Sequence, residues 1–320
     1  MIRYIGKRVG AGAICLALVT LFVFMAMRLV PGDFVTIQLQ DATGVTKEEA
    51  EQLRASFGLD DPLLVQLGDW LAGVAQGDLG ASFWSNRPVT EVLAERIPVT
   101  LQVGLLALLL AVGAGLAFGI LGARRRGSWV DGATRIGAVV GLSVPHYVTA
   151  LLILVALTNL FYWSPPLVFT PITENPSAYF QQVGIPIIAL ALMMTASIAR
   201  MTRSSMLEAL SSESVRAVRA RGGTEGRVLF VHALRNASIP VLTLIGLELG
   251  GVLGGTVILE TLFNIPGIGA LTYDAVSTRD YPLVIVCTIF YCIVYLVVTL
   301  LVDLAYAVVD PRIRTAGVGS

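Results

Sequence analysis

Residues 97–123 read IPVTLQVGLLALLLAVGAGLAFGILGA, 27 consecutive positions without an ionisable side chain. About 20 apolar residues in a helix cross roughly 30 Å of hydrocarbon, and in lipid only helices or a closed barrel satisfy every backbone polar group. Four more stretches are equally free of charge: Val9 to Met27 (19 residues), Ile136 to Thr173 (38), Asn175 to Ala199 (25) and Tyr281 to Val302 (22). A sixth, Asn236 to Leu259, contains one acid, Glu248. The expected fold class is therefore all-α: a polytopic membrane protein with six transmembrane helices, at about 9–30, 98–123, 134–157, 184–206, 239–263 and 283–309. Composition agrees. Of 320 residues 14% are charged, against ~25% in soluble domains, and 55% are hydrophobic, with a mean hydropathy of +0.78.

Net charge is zero, but the charges are sorted. With the N-terminus in the cytoplasm, cytoplasmic segments hold 16 of the 22 basic residues: Arg3, Lys7, Arg8, the run Arg124 to Arg126, Arg135, Arg200, Arg203, Arg216, Arg219, Arg221, Arg227, Arg235, Arg312 and Arg314. The positive-inside rule then places both termini in the cytoplasm. The apolar run near the N-terminus reads as a retained first span, because no small-residue cleavage site follows it. Residues 32–97, with eleven acids against four bases, make an external loop subdomain of short helices. One of these starts at Thr46 with Glu49 at the capping-box position. Tyr162 and Trp163 mark an interfacial belt ahead of a proline-rich external loop. Residues 207–238 form the substantial cytoplasmic loop.

Much chemistry is excluded. The two histidines, His146 and His232, are far apart, no HExxH or GxSxG occurs, and no metal site is expected. The three cysteines, Cys15, Cys287 and Cys292, lie inside spans and read as packing residues. There is no P-loop, so any nucleotide is bound by another chain. The chain is not expected to be an enzyme, nor to bind nucleic acid.

The cytoplasmic loop is more informative. From Glu213 to Arg221 an amphipathic pattern sets Arg216 and Arg219 on one face and Val215 and Val218 on another, with a Gly222-Gly223 stop. By composition alone it would be a topology-setting basic loop. Its order of parts, a short helix, Gly222, and a return segment Ala233-Leu-Arg-Asn-Ala-Ser-Ile-Pro240, resembles the EAA-type loop of ABC importer permeases. Other stretches resemble the dipeptide, oligopeptide and nickel class of these permeases: Arg28-Leu-Val-Pro-Gly-Asp33, Phe57-Gly-Leu-Asp-Asp-Pro62, Gly77-Asp-Leu-Gly80, Leu142-Ser-Val-Pro145, Glu260-Thr-Leu-Phe-Asn-Ile-Pro-Gly-Ile-Gly269, Arg279-Asp-Tyr-Pro282 and Asp310-Pro-Arg-Ile-Arg314. Ser214 and Ala217-Val218 stand where such loops commonly carry an aromatic and a Thr-Ala pair.

The resemblance implies a permease subunit in the bacterial cytoplasmic (inner) membrane. Its partners would be a second permease, two cytoplasmic ATPase subunits, an extracytoplasmic solute-binding protein and membrane lipid. The cofactors, ATP and Mg, would sit in the ATPase subunits, and the cargo would be peptides or similar small solutes. Glu213, Val215, Arg216, Val218, Arg219, Arg221 and Gly222 would form the coupling helix that docks on an ATPase, with the two valines as apolar knobs.

Within the spans, Glu248 is either hydrogen-bonded to a neighbouring helix or lines a translocation pathway. His146, after Pro145, is either a packed histidine at a kink near the middle of the third span or a substrate contact. Gly246, Gly250 and Gly254, at four-residue spacing, permit close helix packing. The rival reading is a proton-coupled secondary transporter working through Glu248, Glu260 and Asp303.

Overall fold

The computed structural model describes residues 2–40 and 47–309. The Asp310-to-Arg314 motif and the Thr46 cap lie outside the described residues, as does the Glu49 side chain. Among those described, every regular element is helical, apart from one isolated bridge between Ala81 and Pro88. The chain resolves into two compact units, one built from residues 2–100 and 266–294, the other from 101–265 and 295–309. Helices α5 (Val89–Arg124) and α13 (Tyr281–Val309) contribute to both.

In the first unit, α1 (Ile2–Leu29) leads into three short helices, α2 (Phe34–Gln40), α3 (Lys47–Ser56) and α4 (Leu63–Ala75). Asp33 starts α2 by accepting a hydrogen bond from the Thr36 N–H at 2.7 Å, and Arg54 of α3 closes on the same carboxylate at 2.7 Å. Partial burial raises the Asp33 pKa, but hydrogen bonds from Arg54 and Thr36 and the Arg54 charge outweigh it and hold the group below the usual carboxylate range. Phe57 and Phe83 pack with ring centroids 4.7 Å apart, and Phe34 meets Phe57 edge-on at 5.4 Å. Asp280, buried at the turn between α12 (Ile268–Ser277) and α13, accepts from the Ser82 hydroxyl at 2.6 Å and the Trp84 N–H at 3.3 Å. Met27, Val89, Leu93, Ile268, Tyr281 and Cys287 share one apolar core.

The second unit is a helix bundle around α8 (Pro176–Ser211). Asn175 caps α8 through Oδ1, which accepts from the Ala178 N–H at 3.1 Å, with Pro176 in the first turn. That cap starts the helix eight residues before 184, the point where the sequence alone places the span. Bare backbone brings the neighbours close. A Cβ at Gly119 would come within 2.5 Å of Thr202, at Gly115 within 2.7 Å of Ile198, and at Gly141 within 2.8 Å of Ala196. Small residues at such crossings let backbones approach and gain dispersion where lipid supplies no hydrophobic drive. Buried Asp131 of α6 (Trp129–Ser143) accepts from Arg203 Nη2 of α8 at 3.0 Å and from the Gly127 N–H at 3.0 Å.

Among the described residues, five helices are long and apolar enough to cross a membrane, six if one bent pair counts as a span. That pair corrects the expected third span. Instead of one kinked helix there are two, α6 and α7 (His146–Phe161), meeting at 101°. Pro145 disfavours helical geometry in the residue before it, and Val144 is extended at φ −103°, ψ 121°. His146 therefore starts α7, directly after the break between the two helices.

Candidate functional site: the cytoplasmic loop and helix α11

Ser212 ends α8 and starts α9 (Glu213–Ala220): its Oγ donates to the Ala209 carbonyl at 2.6 Å and accepts from the Val215 N–H at 3.5 Å. The far end closes in a Schellman turn. Gly222, at φ +79°, donates its N–H to Arg219 O at 2.9 Å, and Gly223 donates to Val218 O at 3.0 Å. Arg219 then spans the turn, its Nε and Nη2 donating to the Glu225 carboxylate at 2.8 and 3.1 Å. Arg216 donates twice to the Ser211 carbonyl at the end of α8, at 3.2 and 3.0 Å, and Arg221 donates to Ala217 O at 3.3 Å. Thr224 caps the single turn α10 (Glu225–Arg227), which runs into a π-helical segment, Val228–Ala233, and then α11 (Leu234–Leu262).

The two valines are not outward knobs. Val215 is fully buried and Val218 half-buried, with Val218 folded under its own turn so that a Cβ on Gly223 would lie 2.7 Å from Val218 Cγ1. Val215 seats α9 on the bundle, where α9 packs against α8 and the π-helical segment. Beneath the loop, Leu229, Ala233 and Ala237 share a core with Ala123, Met206 and Ala209. The face left to solvent carries Glu213, Ser214, Arg216, Ala217, Arg219 and Arg221. The result is a short, rigid cationic helix fixed at both ends.

On α11, Glu248 hydrogen-bonds Ser197 of α8. The His146 Nε2 donates to the Gly255 carbonyl at 3.0 Å, tying the start of α7 to α11. Glu260 is fully buried. Among the described residues no group of acids, histidines and cysteines could hold a metal ion.

Residues 115–315 match the family described as "Binding-protein-dependent transport system inner membrane component", and residues 1–104 match its N-terminal companion, "Binding-prot-dependent transport system membrane comp, N-term". The chain belongs to this family. It is 37% identical over 311 residues to a probable peptide ABC transporter permease of Sinorhizobium fredii, covering 97% of this chain and 99% of that protein. It is 38% identical over 319 residues to the dipeptide transport system permease protein DppB of Lactococcus lactis, covering 98% and 100%. Two solved structures share the fold: an amino acid ABC transporter (TM-score 0.54, 19% identity, 67% of this chain and 92% of that one) and the MetNI methionine ABC transporter (TM-score 0.53, 16% identity, 69% and 97%).

The permease is thus a multi-pass inner-membrane component of an ABC transporter, and ATP hydrolysis belongs to a separate chain. This membership displaces the proton-coupled reading of Glu248, Glu260 and Asp303. The glycine stripe divides. A Cβ at Gly246 would sit 2.2 Å from Val302 Cγ2 and one at Gly250 2.9 Å from the Tyr295 ring, whereas at Gly254 it would meet nothing within 4 Å. Gly246 and Gly250 are α13 contacts, and Gly254 is not. Sequence reasoning missed Asp131, Glu225, Gly115 and Gly119. The two glycines did carry a signal, the same four-residue spacing as the α11 set.

Proposed function

We propose that this permease pairs with a second permease to form the pathway of a peptide importer. An extracytoplasmic binding protein loads it, and two cytoplasmic ATPases that hold ATP and Mg power it. The relatives named as peptide and dipeptide permeases, matched end to end, support the cargo class. Both termini face the cytoplasm, on the strength of the basic residues gathered at one side. The cytoplasmic loop spans 207–238 and the external subdomain 32–97.

The observation that carries the reading is α9 itself: buried at Val215, locked by the Gly222 turn and presenting Arg216, Arg219 and Arg221 outward. A helix fixed this way moves as one piece with α8 and the π-helical segment. Closure of an ATPase dimer on nucleotide is then transmitted to the spans as a rigid displacement. Glu213 and the arginines make the docking face, and Val215, Val218 and Gly222 hold its shape. Glu248 on α11, and His146 at the start of α7 against α11, line the pathway in this reading. The test is co-purification with the ATPase subunits together with peptide uptake in vesicles. Arg216→Glu should abolish ATPase association while leaving the permease folded, and unchanged association in that variant would remove α9 from the docking role.

A further inference from the structure

Between α6 and α8 lies a groove of about 440 Å³ lined by Arg135, Arg200 and Arg203 beside apolar Ala138, Val139 and Leu142. Arg203 is committed to Asp131. Arg135 and Arg200 are exposed, and among the described residues neither makes an ion pair or side-chain hydrogen bond, although Arg135 adds a longer-range attraction for Asp131. A second groove of about 410 Å³ adjoins it along α6, lined by Gly132, Ile136, Val139 and Val140, and Arg135 and Val139 border both. Ile136 is 67% exposed and Val139 63%, and Trp129, at the start of the same helix, is 81% exposed.

We infer that this is a binding site for one anionic phospholipid, its phosphate held by Arg135 and Arg200 and its two acyl chains laid in the two grooves. Charge complementarity selects the headgroup: unpaired guanidiniums bind phosphate through several donors at once. Basic pockets between membrane helices suit anionic lipid headgroups. The two apolar grooves that meet at Arg135 select a lipid over a soluble anion, which has nothing to place there. Trp129 sets the depth, since indole rings collect where headgroups meet hydrocarbon. The site is independent of the transported cargo.

The assembled transporter, stripped of lipid in detergent, is titrated with phosphatidylglycerol or phosphatidylcholine and read by native mass spectrometry. Two cations near a headgroup predict about a thirtyfold preference for phosphatidylglycerol. The double variant Arg135→Ala with Arg200→Ala should bring the two lipids level, whereas Arg124→Ala with Arg125→Ala should not. Gly132→Leu, at a position where an added Cβ meets nothing within 4 Å, should fill the second groove and weaken phosphatidylglycerol binding with both arginines intact. This arm tests the site even if the double variant fails to assemble. A preference that survives both the double variant and Gly132→Leu overturns the assignment. So does displacement of phosphatidylglycerol by inorganic phosphate, which would mean a plain anion site, or by peptide, which would mean a pathway wall.

Discussion

At Gly222 the backbone takes φ +79° with open space around the missing Cβ. A side chain there is opposed by its own left-handed conformation, at about 1–2 kcal/mol, and not by its neighbours. Gly222→Val should loosen the end of α9 and cut peptide uptake several-fold in vesicles while ATPase association persists, and uptake equal to wild type would separate the turn from coupling. Val215→Asp is a blunter change, because it buries an unpaired carboxylate and unseats the helix. The amphipathic pattern of residues 213–221 made two faces legible, but a wheel cannot say which face meets protein. Val215 therefore read as a knob when it is an anchor. Glu225 stayed invisible because its pairing with Arg219 crosses a turn that the sequence does not fold. Outside the spans, Asp33 carries a pH dependence. Its pKa is depressed in the fold, so its contribution is present above the unfolded value near ~4 and is lost as pH falls through the folded one. Proteolytic nicking of residues 32–60 should rise only in acid, and Asp33→Asn should show that susceptibility at neutral pH.

Helix contacts follow from periodicity, and periodicity explains the divided glycine stripe of α11. Steps of four residues advance about 40° beyond a full turn, so Gly254 lies about 80° round the helix from Gly246 and off the α13 contact. Gly246→Leu should overpack against Val302 and lower stability by about 1–3 kcal/mol, with Val302→Ala restoring part of the loss. Gly254→Leu should leave the thermal unfolding midpoint in detergent near wild type. A midpoint drop in Gly254→Leu matching that of Gly246→Leu would refute this division of the stripe. At this scale the five charge-free stretches and the sixth with its single acid announced the long helices well, because lack of charge is a direct statement about solvent. The 101° turn between α6 and α7 was hidden. A 38-residue neutral run reports only that no charge is exposed to lipid, and Pro145 marks a break without giving its angle.

For the whole molecule, orientation and selectivity are the properties that the parts jointly decide. Cysteines placed at Ala81 and Ala178 should react with an impermeant external reagent and one at Ser212 should not, while labelling at Ser212 would invert the ATPase-docking argument. On the pathway role proposed for it, Glu248 would set selectivity; it lies in a helix that is otherwise free of charge from Asn236 to Leu259 and bonds Ser197 of α8. An acid in a span is costly unless it is paired or wet, at least ~2.5 kcal/mol, and a single serine hydroxyl meets only part of its hydrogen-bonding capacity. In a wet pathway the carboxylate stays charged and attracts the amino group of a peptide. Glu248→Gln keeps the Ser197 hydrogen bond and removes that charge. Uptake of cationic relative to anionic peptides of equal length should then fall while assembly with the ATPases is unaltered. Ser197→Ala, which frees the carboxylate without neutralising it, should leave the same ratio near wild type. If Glu248 is instead only a helix-packing group, Glu248→Gln will scale all uptake equally or weaken assembly, and the charge ratio will not move.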